Sequence, residues 1–197
     1  MQAKHTPHIV LASASPRRKE LLAKAGYKLT VEISDINESD FVTEKTEPWE
    51  FTEQLALAKA KDVAPGYPDK IVIGADTIVD YQGKIIGKPE DETDARKIVE
   101  ILFSQPHKVI TGIAVVRIND NIELVAHDVT TVYPKQMSRE QIAEHISSGT
   151  WKGKAGAYAI QENGDEFIER LDGSLTNVIG LPMELLESML AKVVERQ

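Results

Sequence analysis

The sequence contains no cysteine in 197 residues. That excludes disulfides, a thiolate nucleophile and cysteine-ligated zinc. It agrees with a reducing compartment. No apolar run approaches the roughly 18 residues that span a membrane as a helix. Met1 to His8 is short and polar and leads into a strand, so it does not read as a signal peptide. The expected location is the cytoplasm. Positive charge is also scarce: 23 Lys and Arg stand against 31 Asp and Glu, a net charge of -8. Neither a nucleic-acid polymer nor a membrane is therefore an expected partner. His5, His8, His107, His127 and His145 show no metal-ligand spacing and receive no role. No Walker-type Gly-x-x-x-x-Gly-Lys-Ser/Thr loop occurs. Repeats, low-complexity tracts and linkers are absent, so 1–197 reads as one domain with two lobes around a cleft.

The chain is organised around Ile9 to Leu22. Ile9 to Ala12 is a short apolar run, fit for an inner strand. Ser15 is placed to cap the following helix through its hydroxyl, and Pro16 suits the first helical position. Arg17, Arg18 and Lys19 then crowd three cations into a turn where the helix dipole is already positive. Solvation, or a pair between Arg17 and Glu20, explains a single arginine. For Ser-x-Ser-Pro-Arg-Arg after a strand, a bound phosphate is the better account, since N–H groups, hydroxyls and guanidinium forks all favour it.

The remainder alternates. Gly26 ends the first helix, and Tyr27 to Ser34 alternates as a half-buried strand. An acidic loop, Asp35 to Asp40, follows. Pro48 to Ala64 reads as a helix, with Lys59 near its apolar face. Ile71 to Val79 is the most apolar run and an expected central strand. Asp76 within it is costly unless paired, hydrogen-bonded or metal-bound, and Gly74 permits a close backbone approach beside it. A structural Asp76 bonded to backbone N–H groups remains an alternative. Asp80 to Lys84 reads as a hairpin turn, and Gly87-Lys88-Pro89 holds Lys88 in a rigid setting. A helix is expected from Glu92 to Phe103. Val109 to Ile118 and Ile122 to Tyr133 are strands joined at Asn119-Asp120-Asn121. Ser138 and Gln141 form a capping-box pattern for a helix to Ser148, with Gly149 at its end. Asn163-Gly164-Asp165 is a turn, Phe167 to Leu171 a strand, and Asp172-Gly173-Ser174 another turn. Pro182 is expected in the first turn of a last helix reaching Val194. The class is α/β: a mixed, twisted central sheet flanked by helices.

Four stretches, in order, resemble the Maf (septum formation inhibitor-like) family. They are Ser13-Ala14-Ser15-Pro16-Arg17-Arg18, Gly74-Ala75-Asp76-Thr77, Gly87-Lys88-Pro89 and Lys154-Ala155-Gly156-Ala157-Tyr158-Ala159-Ile160-Gln161. Gly180-Leu181-Pro182 is similar too, and the likeness runs from about Ile9 to Leu190. The resemblance implies an elongated α/β fold with a central cleft, as in inosine triphosphatase-like proteins. It implies a nucleoside triphosphate pyrophosphatase, a hydrolase of the α–β phosphoanhydride bond that uses Mg²⁺ or Mn²⁺ and often forms a homodimer. Ser13, Arg17, Arg18, Lys59 and Lys88 would hold the triphosphate. Glu38 and Asp76 would serve the metal, and Asp76 would take the proton of the attacking water. Arg17, Thr77 and Gln161 occupy the specificity positions and match the branch acting on dTTP and UTP rather than on 7-methyl-GTP. The Gln161 amide offers a donor and an acceptor, as a uracil or thymine edge requires. The family usually has Gly at the Ala159 position and often at Glu162. Two rivals are a non-catalytic nucleotide-binding regulator of cell division and a phosphatase releasing single phosphates.

Overall fold

The computed structural model describes residues 7–41, 46–158 and 167–194. Among these, seven strands form one mixed sheet: β1 (His8–Ala12), β2 (Lys28–Val31), β3 (Ile71–Tyr81), β4 (Lys84–Ile86), β5 (His107–Arg117), β6 (Ile122–Pro134) and β7 (Ile168–Asp172). The order is β2-β1-β3-β5-β6-β7, with β4 on β3. β1 pairs in parallel with β2 and β3, because helix α1 (Pro16–Lys24) crosses over between β1 and β2 and the helix Pro48–Val63 between β2 and β3. The other pairings are antiparallel.

Alternation along β3 sends successive side chains to opposite faces. Ile71, Ile73 and Ala75 meet Leu21 and Leu22 of α1 and the final helix α6 (Met183–Val194). Val72 meets Ala56, Ala60 and Val63 of α2 (Pro48–Val63), and Ile78 meets its Phe51 and Leu55. Farther along β3, Val79 joins Val109 and Val132 in a second apolar cluster. Helices α3 (Glu92–Leu102) and α4 (Arg139–Ser147) close that cluster. On the α1/α6 face the two clusters are separated by one polar rung, Thr77 opposite Thr111.

Several expectations need correction. Ser15 stands at the N-cap of α1, but its side chain makes no capping bond. Instead Ser13 Oγ accepts the Ser15 N–H at 3.3 Å. The β2 strand is only four residues long, and part of the acidic loop forms a 3₁₀ turn, Glu38–Phe41. β3 continues to Tyr81, and the hairpin turn is only Gln82-Gly83, both at positive φ as a two-residue I′ turn requires. Leu175–Ile179 is a short helix, α5, unexpected from sequence; its N-cap Ser174 accepts from the Asn177 N–H. Pro182 precedes α6 rather than lying in its first turn, and its carbonyl accepts from Leu186. The Ser138–Gln141 capping box is present. The Asn163-Gly164-Asp165 turn lies outside the described residues.

Candidate active site

The site occupies a break in the sheet. β1 leaves β3 after pairing Ala12 with Gly74, and β4 joins it only at Val79. Among the described residues no strand pairs with Ala75 to Ile78 along that edge. A cleft of about 470 Å³ opens there, bordered by the β1–α1 turn, Glu38, Lys59, Lys88, Lys154 and the Val178–Gly180 segment. Asp76 and Thr77, adjacent in sequence, project to opposite faces and both line it.

On the α2 face, Lys59 Nζ lies 2.7 Å from Asp76 Oδ1 and 2.7 Å from Glu38 Oε1. Two glycines bring α2 this close. A Cβ on Gly74 would stand 2.0 Å from the Ala56 carbonyl oxygen, and one on Gly112 would stand 2.4 Å from that of Thr52. Asp76 is only 8% exposed, so the ammonium partner removes the cost of its charge. Burial alone would raise the Glu38 pKa. The Lys59 hydrogen bond and charge, with the charges of Lys88 and Arg18, outweigh it and hold Glu38 below the usual carboxylate value. Among the described residues Asp76 is paired with Lys59 rather than with backbone N–H groups.

At the start of α1, the Ser15 side chain makes no capping bond to the free N–H groups. The Arg17 Nε is buried without a hydrogen-bond partner, and burial pulls the Arg17 pKa below the ordinary guanidinium value. Burial does the same to Arg18, and the Arg17 charge adds to it, against opposing attraction from Asp76 and Glu38. Arg18 is largely committed. Its Nε donates to Gly180 O (2.8 Å), Nη1 to Ser13 Oγ (2.9 Å) and Nη2 to Thr77 Oγ1 (3.0 Å). Of the five N–H groups a guanidinium carries, two are left. Lys88 borders the cleft as an exposed cation, and the Gly87 carbonyl beside it accepts the Gly156 N–H. Lys154 also lines the cleft, its pKa lowered by burial and then by Arg17.

The fold thus brings together Ser13, Arg17, Arg18, Glu38, Lys59, Asp76, Thr77 and Lys88. Gln161, Ala159 and Glu162 lie outside the described residues. Sequence reasoning missed Thr111 and Asn177, both fully buried behind Thr77. A lone polar residue in an apolar strand was the available signal for Thr111, as it was for Asp76. It also gave His107 and His145 no role. His107 Nε2 is 2.5 Å from the Tyr158 hydroxyl, and His145 Nε2 is 2.9 Å from the Ala157 carbonyl. Together they tie down the turn that carries Tyr158 to the cleft wall.

Among the described residues, no three His, Cys, Asp or Glu side chains are grouped to hold a metal ion. The oxygen donors at hand are Glu38 and Asp76, both on one ammonium nitrogen. Two carboxylates suit a hard divalent cation that takes its other ligands from phosphates and water, not one held in an all-protein cage.

A family model described as Maf-like protein matches residues 8–193. A dTTP/UTP pyrophosphatase of Elusimicrobium minutum is 44% identical over 182 residues, covering 92% of this chain and 96% of that protein. A dTTP/UTP pyrophosphatase of Geobacter metallireducens is 45% identical over 183 residues, covering 92% and 94%. The solved structure of the Staphylococcus aureus Ham1 protein has the same fold, with a TM-score of 0.53 over 94% of this chain and 98% of that one at 14% identity.

Proposed function

The chain belongs to the Maf-like protein family, and from that premise we propose that it hydrolyses dTTP and UTP to the nucleoside monophosphate and pyrophosphate. One observation carries the chemistry: Arg17, Arg18, Lys59 and Lys88 converge with two carboxylates where β3 lacks a neighbour. Phosphate binding alone gains nothing from carboxylates, whereas delivering water to phosphorus does.

The triphosphate lies across the start of α1. Free N–H groups, the Ser13 hydroxyl, Arg17 and Lys88 meet its oxygens. Arg18 contributes its two remaining N–H groups and orients Ser13 and Thr77. A water attacks the α phosphorus and passes its proton to a carboxylate oxygen of Asp76. The bond to the bridging oxygen breaks, and pyrophosphate leaves against Arg17 and Lys88. Lys59 holds Asp76 in place through its 2.7 Å bond. Mg²⁺ or Mn²⁺ held by Glu38 and Asp76 would neutralise phosphate charge. One domain of two lobes on a shared sheet, a homodimer and a cytoplasmic location complete the reading. Gln161 would read the base together with Arg17 and Thr77.

The test measures kcat/KM for dTTP, UTP, CTP, GTP and 7-methyl-GTP with Mg²⁺ and Mn²⁺, detecting pyrophosphate. The expected result is preference for dTTP and UTP. Orthophosphate with a diphosphate product, 7-methyl-GTP as best substrate, or full activity in a chelator would overturn it. Binding without turnover would favour a regulator.

A further inference from the structure

Glu38 and Asp76 belong to different elements, the 3₁₀ turn Glu38–Phe41 and β3, yet both meet one nitrogen. Lys59 Nζ is 2.7 Å from Glu38 Oε1 and 2.7 Å from Asp76 Oδ1. One ammonium leaves two carboxylates half neutralised. A divalent cation at the same point would neutralise both. The cation and the ammonium together would overcompensate them, and would repel each other twice as strongly as two single charges do. Oxygen stands about 2.1 Å from Mg²⁺, closer than either carboxylate oxygen stands to Lys59. The ammonium therefore holds the place that the cation needs.

We infer that Lys59 is an exchangeable counter-ion, which occupies the metal's carboxylates until the metal arrives and then passes its ammonium to the triphosphate. This rests on the reading of the cleft as a metal-assisted nucleotide site. Lys59 lines the cleft together with Ser13, Arg17 and Lys88, the groups offered to phosphate. Its four-carbon stem can turn, while the α2 backbone is fixed against Gly74 and Gly112. The exchange couples the two ligands. Metal alone leaves a largely buried ammonium without an acceptor, and nucleotide alone finds that ammonium already engaged. Each ligand prepares the site for the other. Among the described residues no third His, Cys, Asp or Glu joins the two carboxylates. A cation bound without nucleotide thus has only the protein ligands that Lys59 already holds.

The experiment measures Mn²⁺ affinity without nucleotide, from the loss of the free-ion paramagnetic resonance signal. The proteins are wild type, Lys59→Met, Lys59→Arg and the double variant Lys59→Met with Asp76→Asn. Lys59→Met keeps the stem and removes the charge. It should bind Mn²⁺ about ten-fold tighter or more than wild type, because a like charge a few ångström away is gone. Lys59→Arg keeps a cation and should stay near wild type. The double variant should lose the gain, which places the ion on Asp76. A lysine that only holds the site together predicts the opposite, weaker Mn²⁺ binding in Lys59→Met. That result, an unchanged affinity, or the same gain in Lys59→Arg overturns the proposal. If Lys59→Met does not fold, wild type with ¹³C-labelled lysine serves. Saturating Mg²⁺ should shift the Lys59 Cε signal, assigned by its loss in Lys59→Arg, and an unmoved signal overturns the exchange. Pyrophosphate release from UTP is scored separately. Wild type that releases none, while Lys59→Met gains Mn²⁺ affinity, refutes the reaction and leaves the exchange standing.

Discussion

At the scale of single residues, the site is an imbalance of charge around Lys59. One ammonium serves two carboxylates at 2.7 Å each, one of them largely buried. The two groups should therefore fail differently when changed. Asp76→Asn removes a charge and keeps the shape, and its rate should fall about 10²–10⁴-fold, the usual worth of a general base. Its thermal midpoint should move little, and near-normal turnover would show Asp76 to be structural. Lys59→Met instead leaves Asp76 without its partner. It should lose activity and also roughly 1–3 kcal/mol of stability, the cost of a buried acceptor left unmet. Denaturant titration of the two variants separates these outcomes, and equal stability loss would contradict the assignment.

At the scale of elements, the site exists because α2 lies almost on the backbone of β3 and β5. Gly74 and Gly112 make that approach, and the obstructing atoms are helix backbone, which cannot swing aside. Gly74→Ala should push α2 outward, separating Lys59 from Asp76. The expected cost is about 1–3 kcal/mol or more for overpacking, with a fall in kcat alongside. A stable and fully active Gly74→Ala variant would show that the contact between helix and strand does not set the site. The β3 edge matters equally. Had β1 run four residues longer, its backbone would occupy the cleft.

At the scale of the whole molecule, long strands join two apolar clusters, and the cleft lies beside the polar rung between them. His107 belongs to the second cluster's edge and is 3% exposed. Burial lowers its pKa, against weaker opposing bonds to the Gln105 and Leu102 carbonyls. Those carbonyls can only accept, so Nδ1 carries the hydrogen and Nε2 accepts from the Tyr158 hydroxyl. The unfolded chain binds this proton more readily than the folded one, so stability rises with pH through this group. The contribution is whole above the ordinary histidine value near 6.5, declines below it, and is fully lost once pH has fallen through the lower folded value. His107→Gln should flatten that part of a stability-against-pH curve. An unchanged slope would remove His107 from the account.

The sequence by itself determined the elements whose signals are local. Ile9 to Ala12 had to be buried, Pro16 had to open a helix, and Ser138 with Gln141 had to cap one. It also marked Asp76 and the cations after Pro16, because a carboxylate in an apolar run and like charges at a helix start are locally unfavourable. Only the tertiary structure decided the rest. Ser15 could cap its helix by its own chemistry, yet Ser13 takes the neighbouring N–H. Arg17 and Arg18 read alike in sequence, but one is left with an unpaired buried nitrogen and the other is tied to Ser13, Thr77 and Gly180. Lys59 meets Asp76 across 17 residues, and Thr111 meets Asn177 across 66. Such pairings leave no periodic trace, because they are set by which strand ends where and by how closely a helix can lie on a sheet.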